Sequence, residues 1–160
     1  MTKNARVPAT NALRFLTQNE ISFEAREYEH KVKGAEYAAE ALAWPIEAMI
    51  KTLAVALSDG SHCLCLLPGN AELSLKNLAR EAGVKSARMT TPEEAEKLTG
   101  YRVGGISPFG TRKPLAVWLH SPLLGFERVG INGGHRGLIV FLSPSDIRDS
   151  LRAKVTDLAA

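Results

Sequence analysis

The amino-acid sequence predicts a single α+β domain with a mixed, mostly antiparallel sheet of six or seven strands and interspersed short helices. Three observations lead to this fold class. A chain of 160 residues with 45% hydrophobic and 23% charged residues suits one globular domain with its own core. Strand and helix patterns follow one another without the strict alternation of a doubly wound fold. No repeat, low-complexity tract or linker divides the chain, so residues 1–160 are expected to form one domain.

Five segments have the composition and the ends expected of short helices. TPEEAEKLTG carries the most complete signals, because Thr91 and Glu94 match a capping box. Pro92 suits its first turn and Gly100 suits its end. SPSDIRDSLRA repeats this logic, with Ser143 at the capping position. The remaining helical segments are PATNALRFLTQNE, SLKNLAREAG with Ser74 as its cap, and AEYAAEALAW, which Pro45 is expected to end.

Up to seven segments have the pattern of β-strands. The pair Asp59–Gly60, between the second and third of them, predicts a tight hairpin turn. Asn132–Gly133 predicts another hairpin between the last two. The segments are ISFEAREY, IKTLAVAL, HCLCLLP, VKSARM, LAVWLH, ERVGIN and GLIVFLS.

Composition and charge narrow the function classes without selecting one. A formal net charge of +3 permits an anionic partner but does not require one. No apolar run approaches 18 residues and the N-terminus lacks a secretion signal, so we expect a cytoplasmic location and no membrane partner. Cys63 and Cys65 lie two apart in an apolar strand, which predicts buried thiols. We expect no disulfide, no metal and no cofactor.

Lys51 is the first candidate for chemistry, because it opens the strand IKTLAVAL directly after the apolar pair Met49 and Ile50. Two interpretations remain open at this point. A strand-end lysine can extend its stem along apolar surface and keep its ammonium in water. Alternatively, the ammonium lies at the floor of a cleft, where it binds a phosphate or polarises a carbonyl group.

The segment GYRVGGISPFGTRKPL, Gly100 to Leu115, is longer than the two to six residues that usually join a helix to a strand. Gly104 and Gly105 allow positive φ angles and let a ligand approach backbone N–H groups, which can together bind an anion. The segment matches neither common nucleotide-binding pattern. It is therefore either an unusually long connection or part of an anion-binding site.

A second glycine-rich loop, INGGHRG, is interpreted as a hairpin tip that can also face a pocket. The sequence contains no GxSxG motif, and its two cysteines lie in an apolar strand. A hydrolase with this sequence is expected to work without a covalent protein intermediate.

The segments YEH, AAEALAWPIEAMIKTLAV, GYRVGGISPFGTRK and INGGHRG resemble, in order and spacing, the YbaK-type aminoacyl-tRNA deacylases. This family is similar to the editing domain inserted in some bacterial prolyl-tRNA synthetases. The likeness spans roughly residues 10–150, and the branch it matches best is the Cys-tRNA(Pro) deacylases. The run G-Y-x-V-G-G-I-S-P is its most specific part.

The resemblance implies an activity and a set of residues. It implies hydrolysis of misacylated tRNA in trans, with the tRNA acceptor end as partner and prolyl-tRNA synthetase as a candidate partner. A pocket shaped for proline cannot strongly exclude cysteine or alanine, so a second sieve is needed. Lys51 and Gly104 correspond to the catalytic positions, and the substrate's own thiol attacks the ester. The implied substrate-binding residues are Tyr28, His30, Tyr37, Gly105, Ser107, Pro108, Asn132, Gly133, Gly134 and Arg136.

Two departures from the family pattern concern amino-acid selectivity. The segment after Tyr28 is about three residues shorter than in the family, which leaves open whether Tyr37 is the aromatic residue of the pocket. His135 stands where the family more often has lysine or arginine. Two other functions remain as alternatives. The chain could act with water on Ala-tRNA(Pro) or another misacylated tRNA, or it could bind tRNA or a synthetase without catalysis.

Overall fold

The computed structural model describes residues 9–29 and 34–160. His30 lies outside the described residues, so its expected role in substrate binding has no structural counterpart here. Within the described ranges the chain forms five short α-helices, and the fold class predicted from the sequence is confirmed. They are α1 (Asn11–Gln18), α2 (Ala35–Ala41), α3 (Leu75–Ala82), α4 (Pro92–Thr99) and α5 (Pro144–Leu151).

Eight strands of the described chain join in one sheet. Its order is β1-β7-β6-β2-β3-β5-β8, with β4 paired to β2 outside this path. Four of the strand pairs are antiparallel and three, β2 with β6, β3 with β5 and β5 with β8, are parallel. The strands are β1 (Glu24–Glu27), β2 (Met49–Leu57), β3 (His62–Pro68), β4 (Ala87–Met89), β5 (Ala116–His120), β6 (Val129–Asn132), β7 (Leu138–Leu142) and β8 (Lys154–Thr156).

Both faces of the sheet are covered by apolar side chains. Because side chains alternate along a strand, the even-numbered residues of β2, such as Ile50 and Ala54, join the large core formed with α1, α4 and α5. The odd-numbered residues face the other side. Met49 packs there against α2, and Val55 packs with the buried thiols of β3 against α3.

The helix ends agree with the sequence signals in two helices and differ in two others. Thr91 and Glu94 form the complete capping box of α4, and the Ser74 hydroxyl accepts the Asn77 N–H at the start of α3. At α5, however, the Ser143 hydroxyl bonds the Ser145 hydroxyl instead of a backbone N–H of the first turn, so the expected side-chain cap is absent.

Helix α2 ends earlier than the sequence predicted, and Pro45 is not what ends it. The chain turns at Ala43, which has a φ of 52°, and the Trp44 N–H returns to the Ala39 carbonyl oxygen at 2.8 Å. A residue in the left-handed conformation, followed by an N–H that bonds a carbonyl oxygen of the last helical turn, is the Schellman motif. It carries the Trp44 ring onto Phe141, with centroids 4.6 Å apart.

One edge of β2 is only partly paired with neighbouring strands. Strand β6 pairs with β2 only at Met49 and Ile50, and β4 pairs with it only from Val55 to Leu57. Among the described residues no strand pairs with this edge from 51 to 54. The Ala54 carbonyl oxygen, which faces this edge, accepts hydrogen bonds from the N–H and the hydroxyl of Thr90. In a β-strand, the backbone groups of every second residue face the same edge. The N–H and C=O of Thr52, two residues before Ala54, therefore point toward this unpaired part of the edge, where the sheet has an opening.

A hydrogen bond to the buried side chain of His120 holds the C-terminal segment against the sheet. No sequence pattern predicted this contact. The ring Nδ1 of His120 accepts the Leu158 N–H at 3.0 Å, and the Leu158 side chain is fully buried. Burial lowers the pKa of His120, while Asp157, 3.6 Å away, opposes that effect. An Nδ1 that accepts a hydrogen bond must be unprotonated, so the fold favours the neutral ring.

We predict that acid weakens this attachment. Because the pKa of His120 is lower in the folded chain than its ordinary value of 6.5, the stabilisation is complete above that value and is lost as the pH falls through the folded pKa. Thermal unfolding between pH 8 and pH 5 should therefore show a steeper loss of Tm for the wild type than for His120→Asn, whose amide oxygen can still accept the N–H. Parallel pH profiles for the two proteins would contradict this assignment.

Candidate active site

A cavity of about 310 Å³ occupies the opening beside β2. Its walls come from β2, the start of α2, the segment from β4 into α4, the 103–106 part of the long loop, and the end of β6. Most of the wall is apolar. The lining residues are Tyr28, Gly34, Ala35, Ala38, Ile50, Lys51, Thr52, Leu53, Ala54, Met89, Thr90, Thr91, Pro92, Ala95, Val103, Gly104, Ile106, Asn132 and Ile139.

Lys51 is the charged side chain of this wall, and it lies inside the strand, two residues after its start. Its ammonium donates a hydrogen bond to the Gly69 carbonyl oxygen at 3.3 Å, and the residue is half-buried. Gly69 in turn touches Ala35, since a Cβ on Gly69 would lie 2.8 Å from the Ala35 side chain. The lysine is thus held at the cavity near the start of α2, instead of extending freely into water.

Gly104 reaches the same cavity from the long loop. Its φ of 95° belongs to the left-handed region, which an L side chain adopts only with strain. Its carbonyl oxygen accepts the side-chain amide of Asn132 at 3.1 Å. In the described part of the chain its N–H has no acceptor, so this donor remains available to a ligand.

Asn132 ties the two glycine-rich loops together. Its Nδ2 donates to Gly104, while its Oδ1 accepts the N–H groups of Gly134, at 2.7 Å, and His135, at 3.2 Å. The amide group therefore has partners on both loops at the point where β6 ends. In this structure Asn132 lines the cavity and also fixes the position of Gly104.

Gly105 brings the loops into direct backbone contact and does not line the cavity. A Cβ there would lie 2.8 Å from the Arg136 backbone nitrogen and 3.0 Å from the His135 backbone. The requirement for glycine at this position comes from the protein's own second loop. From the sequence, both glycines are expected to allow positive φ and ligand approach; of the two, only Gly104 has a positive φ in the structure.

The second half of the long loop packs into the core. Ser107 and Pro108 are buried, and the Ser107 hydroxyl accepts the Phe109 N–H at 3.2 Å. The Phe109 ring stacks on Phe15 of α1, and the Tyr101 hydroxyl donates to the Phe109 carbonyl. The length of the segment thus serves two purposes, since Val103, Gly104 and Ile106 line the cavity and 107–109 fills space beneath α1. Ser107 and Pro108 do not contribute to the cavity wall.

The first residues after Asn132 also have structural contacts. The Gly133 carbonyl oxygen accepts the Thr10 hydroxyl at 2.6 Å. Gly134 has a φ of 96°, and a Cβ on it would lie 2.8 Å from the Tyr101 ring. Both glycines therefore pack against α1 and the start of the long loop, and neither lines the cavity.

Three expected substrate-binding residues gather at the β1 end of the cavity. Tyr28 lines it, and the Tyr28 N–H donates to the Gly137 carbonyl oxygen at 2.9 Å. Tyr37 does not line the cavity; its ring lies 6.0 Å from the Tyr28 ring. Burial and Tyr37 raise the pKa of Tyr28, whereas the positive charge of the exposed Arg136 acts in the opposite direction. Arg136 thus lies close enough to act electrostatically on Tyr28, a residue of the cavity wall.

Sequence reasoning missed part of the wall, namely Thr52, Thr90 and Ala95. Thr90 and Ala95 flank the start of α4, which the capping signals located correctly, but nothing in those signals indicated that this helix borders the same cavity as Lys51. Thr52 follows Lys51 directly, yet the alternation of β2 points its side chain to the opposite face of the sheet.

Neither a cysteine thiol nor a metal-binding cluster lies at the cavity in the described residues. Cys63 and Cys65 are buried in the cluster against α3. The contact with Cys63 and burial both raise the pKa of Cys65, which disfavours its thiolate. No group of three potential metal-ligating side chains occurs in the described chain. Its helices also lack the length and apolar character that crossing a bilayer requires.

Comparison with known proteins identifies the family. The model of a family described as aminoacyl-tRNA editing domain matches residues 29–150. The chain belongs to the aminoacyl-tRNA editing domain family. The resemblance seen in the sequence is therefore confirmed. Editing is the hydrolysis of an aminoacyl-tRNA ester, so the chain is a deacylase.

One relative and one solved structure cover nearly the whole chain, and a proline–tRNA ligase covers two thirds of it. EbsC of Enterococcus faecalis, whose name proposes a Cys-tRNA(Pro)/Cys-tRNA(Cys) deacylase, is 30% identical over 149 residues, 92% of this chain and 91% of EbsC. A proline–tRNA ligase of Shouchella clausii is 30% identical over 107 residues, 67% of this chain and 19% of the ligase. A crystal structure described as a proposed trans-editing enzyme for prolyl tRNA synthetase superposes with a TM-score of 0.86 at 28% identity, covering 96% of this chain and 99% of that one.

We predict that Gly105→Ala destabilises the editing domain by about 1–3 kcal/mol, because the added methyl group would push the two loops apart. Thermal unfolding should show a Tm lower by at least about 2 °C. Gly125→Ala is the matched control, since a Cβ there has open space around it and the residue has no positive φ. Equal Tm values for the two variants would show that the loops can separate without cost.

Proposed function

We propose that this editing domain hydrolyses Cys-tRNA(Pro) in trans, in the cytoplasm, with Lys51 and the backbone of Gly104 positioning the aminoacyl ester. The observation that carries the proposal is that these two residues, from separate parts of the chain, line one small cavity. A volume of about 310 Å³ is at the low end for ligand pockets, which suits an aminoacyl group entering with the end of its ribose.

The two residues have complementary roles in this proposal. The Lys51 ammonium carries a full positive charge at a partly apolar wall, where it attracts the terminal phosphate or the ester oxygens of the acceptor end. The unpartnered Gly104 N–H is held in place by Asn132 and supplies a fixed hydrogen-bond donor for the ester carbonyl. Donors that need no reorganisation stabilise the charge that develops on this oxygen during attack.

The nucleophile in the proposal is the thiol of the substrate cysteine. Its sulfur bonds to the ester carbon, the bond from that carbon to the ribose oxygen breaks, and the thiol proton finishes on the ribose oxygen. Water then opens the resulting cyclic thioester and releases cysteine. The location of Cys63 and Cys65 away from the cavity supports this assignment, since the enzyme's own thiols are out of reach.

The mostly apolar wall also favours one alternative. A methyl side chain fits such a wall, so Ala-tRNA(Pro) attacked by water is the second candidate reaction. The alternative of tRNA or synthetase binding without catalysis predicts no release of amino acid from any substrate. Prolyl-tRNA synthetase is the candidate partner, because it forms both misacylated products.

The test is a panel of Cys-, Ala- and Pro-tRNA(Pro), each incubated with the pure protein while released amino acid is counted, with and without prolyl-tRNA synthetase. The proposal expects fast release of cysteine from Cys-tRNA(Pro) and no release of proline from Pro-tRNA(Pro). Release of alanine without cysteine would select the water reaction. If no amino acid is released even with the synthetase present, the catalytic proposal is wrong.

We predict that Lys51→Met lowers single-turnover deacylation by about 10²-fold, the scale for losing one electrostatic stabiliser. Methionine retains a long apolar side chain, so folding should change little, which thermal unfolding checks. Lys154→Met is the matched control, because Lys154 also lies in a strand but its ammonium lies 5.2 Å from the Trp118 ring centre, outside the cavity. Wild-type rates for a folded Lys51→Met protein would remove Lys51 from the mechanism.

A further inference from the structure

A second cleft, of about 520 Å³, lies between α3 and β4, outside the candidate active site. Lys76 and Arg80 lie four residues apart in α3, so both extend from the same side of the helix. Lys85 adds a third cation, and none of the described residues that line the cleft is acidic. The lining residues are Leu75, Lys76, Ala79, Arg80, Val84, Lys85, Ser86 and Ala87.

The positive charges of this basic cleft are not neutralised by ion pairs within the described part of the chain. Lys76 and Lys85 are exposed, and neither ammonium group forms a hydrogen bond with the described residues. Arg80 donates to the Asn77 Oδ1 atom at 2.8 Å, a contact that leaves its charge unpaired. Because like charges one helical turn apart repel each other, a bound anion would relieve a repulsion that α3 carries when the cleft is empty.

Strand β4 connects the basic cleft to the active-site cavity. Ala87 lines the cleft, and Met89, two residues further along the strand, lines the cavity. Side chains two residues apart share one face of a strand and lie about 7 Å from each other. Ala87 packs with the cluster against α3, so this face is the one that α3 covers. Met89 presents an apolar side chain there that is 42% exposed.

Lys51 belongs to the same face of the sheet. Val55 packs against α3, and Lys51, four residues earlier in β2, shares its face because side chains alternate along the strand. Leu57 is the β2 residue that pairs with Ala87 of the cleft. The six residues from Lys51 to Leu57 span about 20 Å. Cations therefore lie at both ends of a path that a few nucleotides of an extended strand can cover.

We propose that the basic cleft between α3 and β4 binds the sugar–phosphate backbone of the tRNA acceptor strand as it leaves the active site. The inference rests on the proposed function, which puts the terminal nucleotide beside Lys51. Surfaces for single-stranded nucleic acid combine positive charges along the backbone with side chains that the bases cover. The exposed Met89 side chain, between Lys51 and the cleft, suits a base. The strand then runs from Lys51 along β2 and β4 to α3.

The experiment measures binding of uncharged tRNA(Pro) to the pure protein over a series of salt concentrations. Each contact between a lysine and a phosphate adds about 0.7–0.9 to the slope of log K against log salt. We expect the double variant Lys76→Gln/Lys85→Gln to bind tRNA more weakly and to reduce this slope by about 1.5. Its Tm should change little, since neither ammonium group has a partner in the described chain.

Two single variants show whether the effect belongs to the cleft. Lys154→Gln is the control for loss of one charge, because its ammonium lies 5.2 Å from the Trp118 ring centre and outside the cleft, and it should retain the wild-type slope. Lys113 is exposed at the far end of α4, where its N–H bonds the Leu98 carbonyl oxygen. If Lys113→Gln reduces the slope and the double variant does not, the strand leaves the cavity in the other direction and the inference is overturned.

Hydrolysis separates this inference from the proposed function. The ratio of kcat/KM for Cys-tRNA(Pro) to that for 3′-cysteinyl adenosine, which is too short to reach the cleft, should fall in the double variant as the affinity for tRNA falls. If the wild type releases no cysteine but its salt slope still depends on Lys76 and Lys85, the proposed function fails and the cleft remains an RNA-binding surface. If the wild type is active and the double variant keeps both the slope and the ratio, the inference alone is overturned.

Discussion

The incomplete pairing of one strand is the constraint on which the candidate site depends. Strand β2 has a full antiparallel partner in β3 along one edge, but on the other edge β6 covers only its start and β4 only its end. A continuous sheet would have no opening at this point. Because the gap leaves residues 51–53 partly exposed at this edge, an internal strand contributes to the wall of a cavity.

The loops that close this cavity are held together by hydrogen bonds and by close backbone contact. Asn132 bonds both loops, and Gly105 lets their backbones touch. The Glu96 carboxylate of α4 accepts the Val103 N–H at 2.9 Å and so attaches the long loop to the helix at the cavity wall. A fixed position of Gly104 suits the proposed reaction, in which positioning and electrostatics supply the rate.

Local sequence patterns predicted most of the elements of this fold, because helix caps and tight turns depend on neighbouring residues. The capping box at Thr91 and the hairpin at Asp59–Gly60 are of this kind. Strand β8 was missed, since three polar and β-branched residues, Lys154–Thr156, carry little periodicity. The early end of α2 was missed because alanine, not glycine, adopts the left-handed conformation at Ala43.

The site was only partly predictable, for a physical reason. Lys51 and Gly104 were found through motif resemblance, but which motif residues face the cavity depends on packing between distant segments. Ser107 and Pro108 belong to the same specific motif as Gly104, yet they fill the core.

Side chains alternate along β2, so the successive residues Lys51 and Thr52 point their side chains to opposite faces of the sheet. Both residues line the cavity. Inserting one residue between α2 and β2 can be absorbed by the connection, but inserting one within 49–51 would shift the alternation and move the Lys51 side chain to the other face of the sheet. The turn at Asp59–Gly60, by contrast, lies beyond the end of the strand and can change length without affecting that order. Divergence among chains with this architecture should therefore accumulate at the hairpin turn and be nearly absent, as a change of length, at the start of β2.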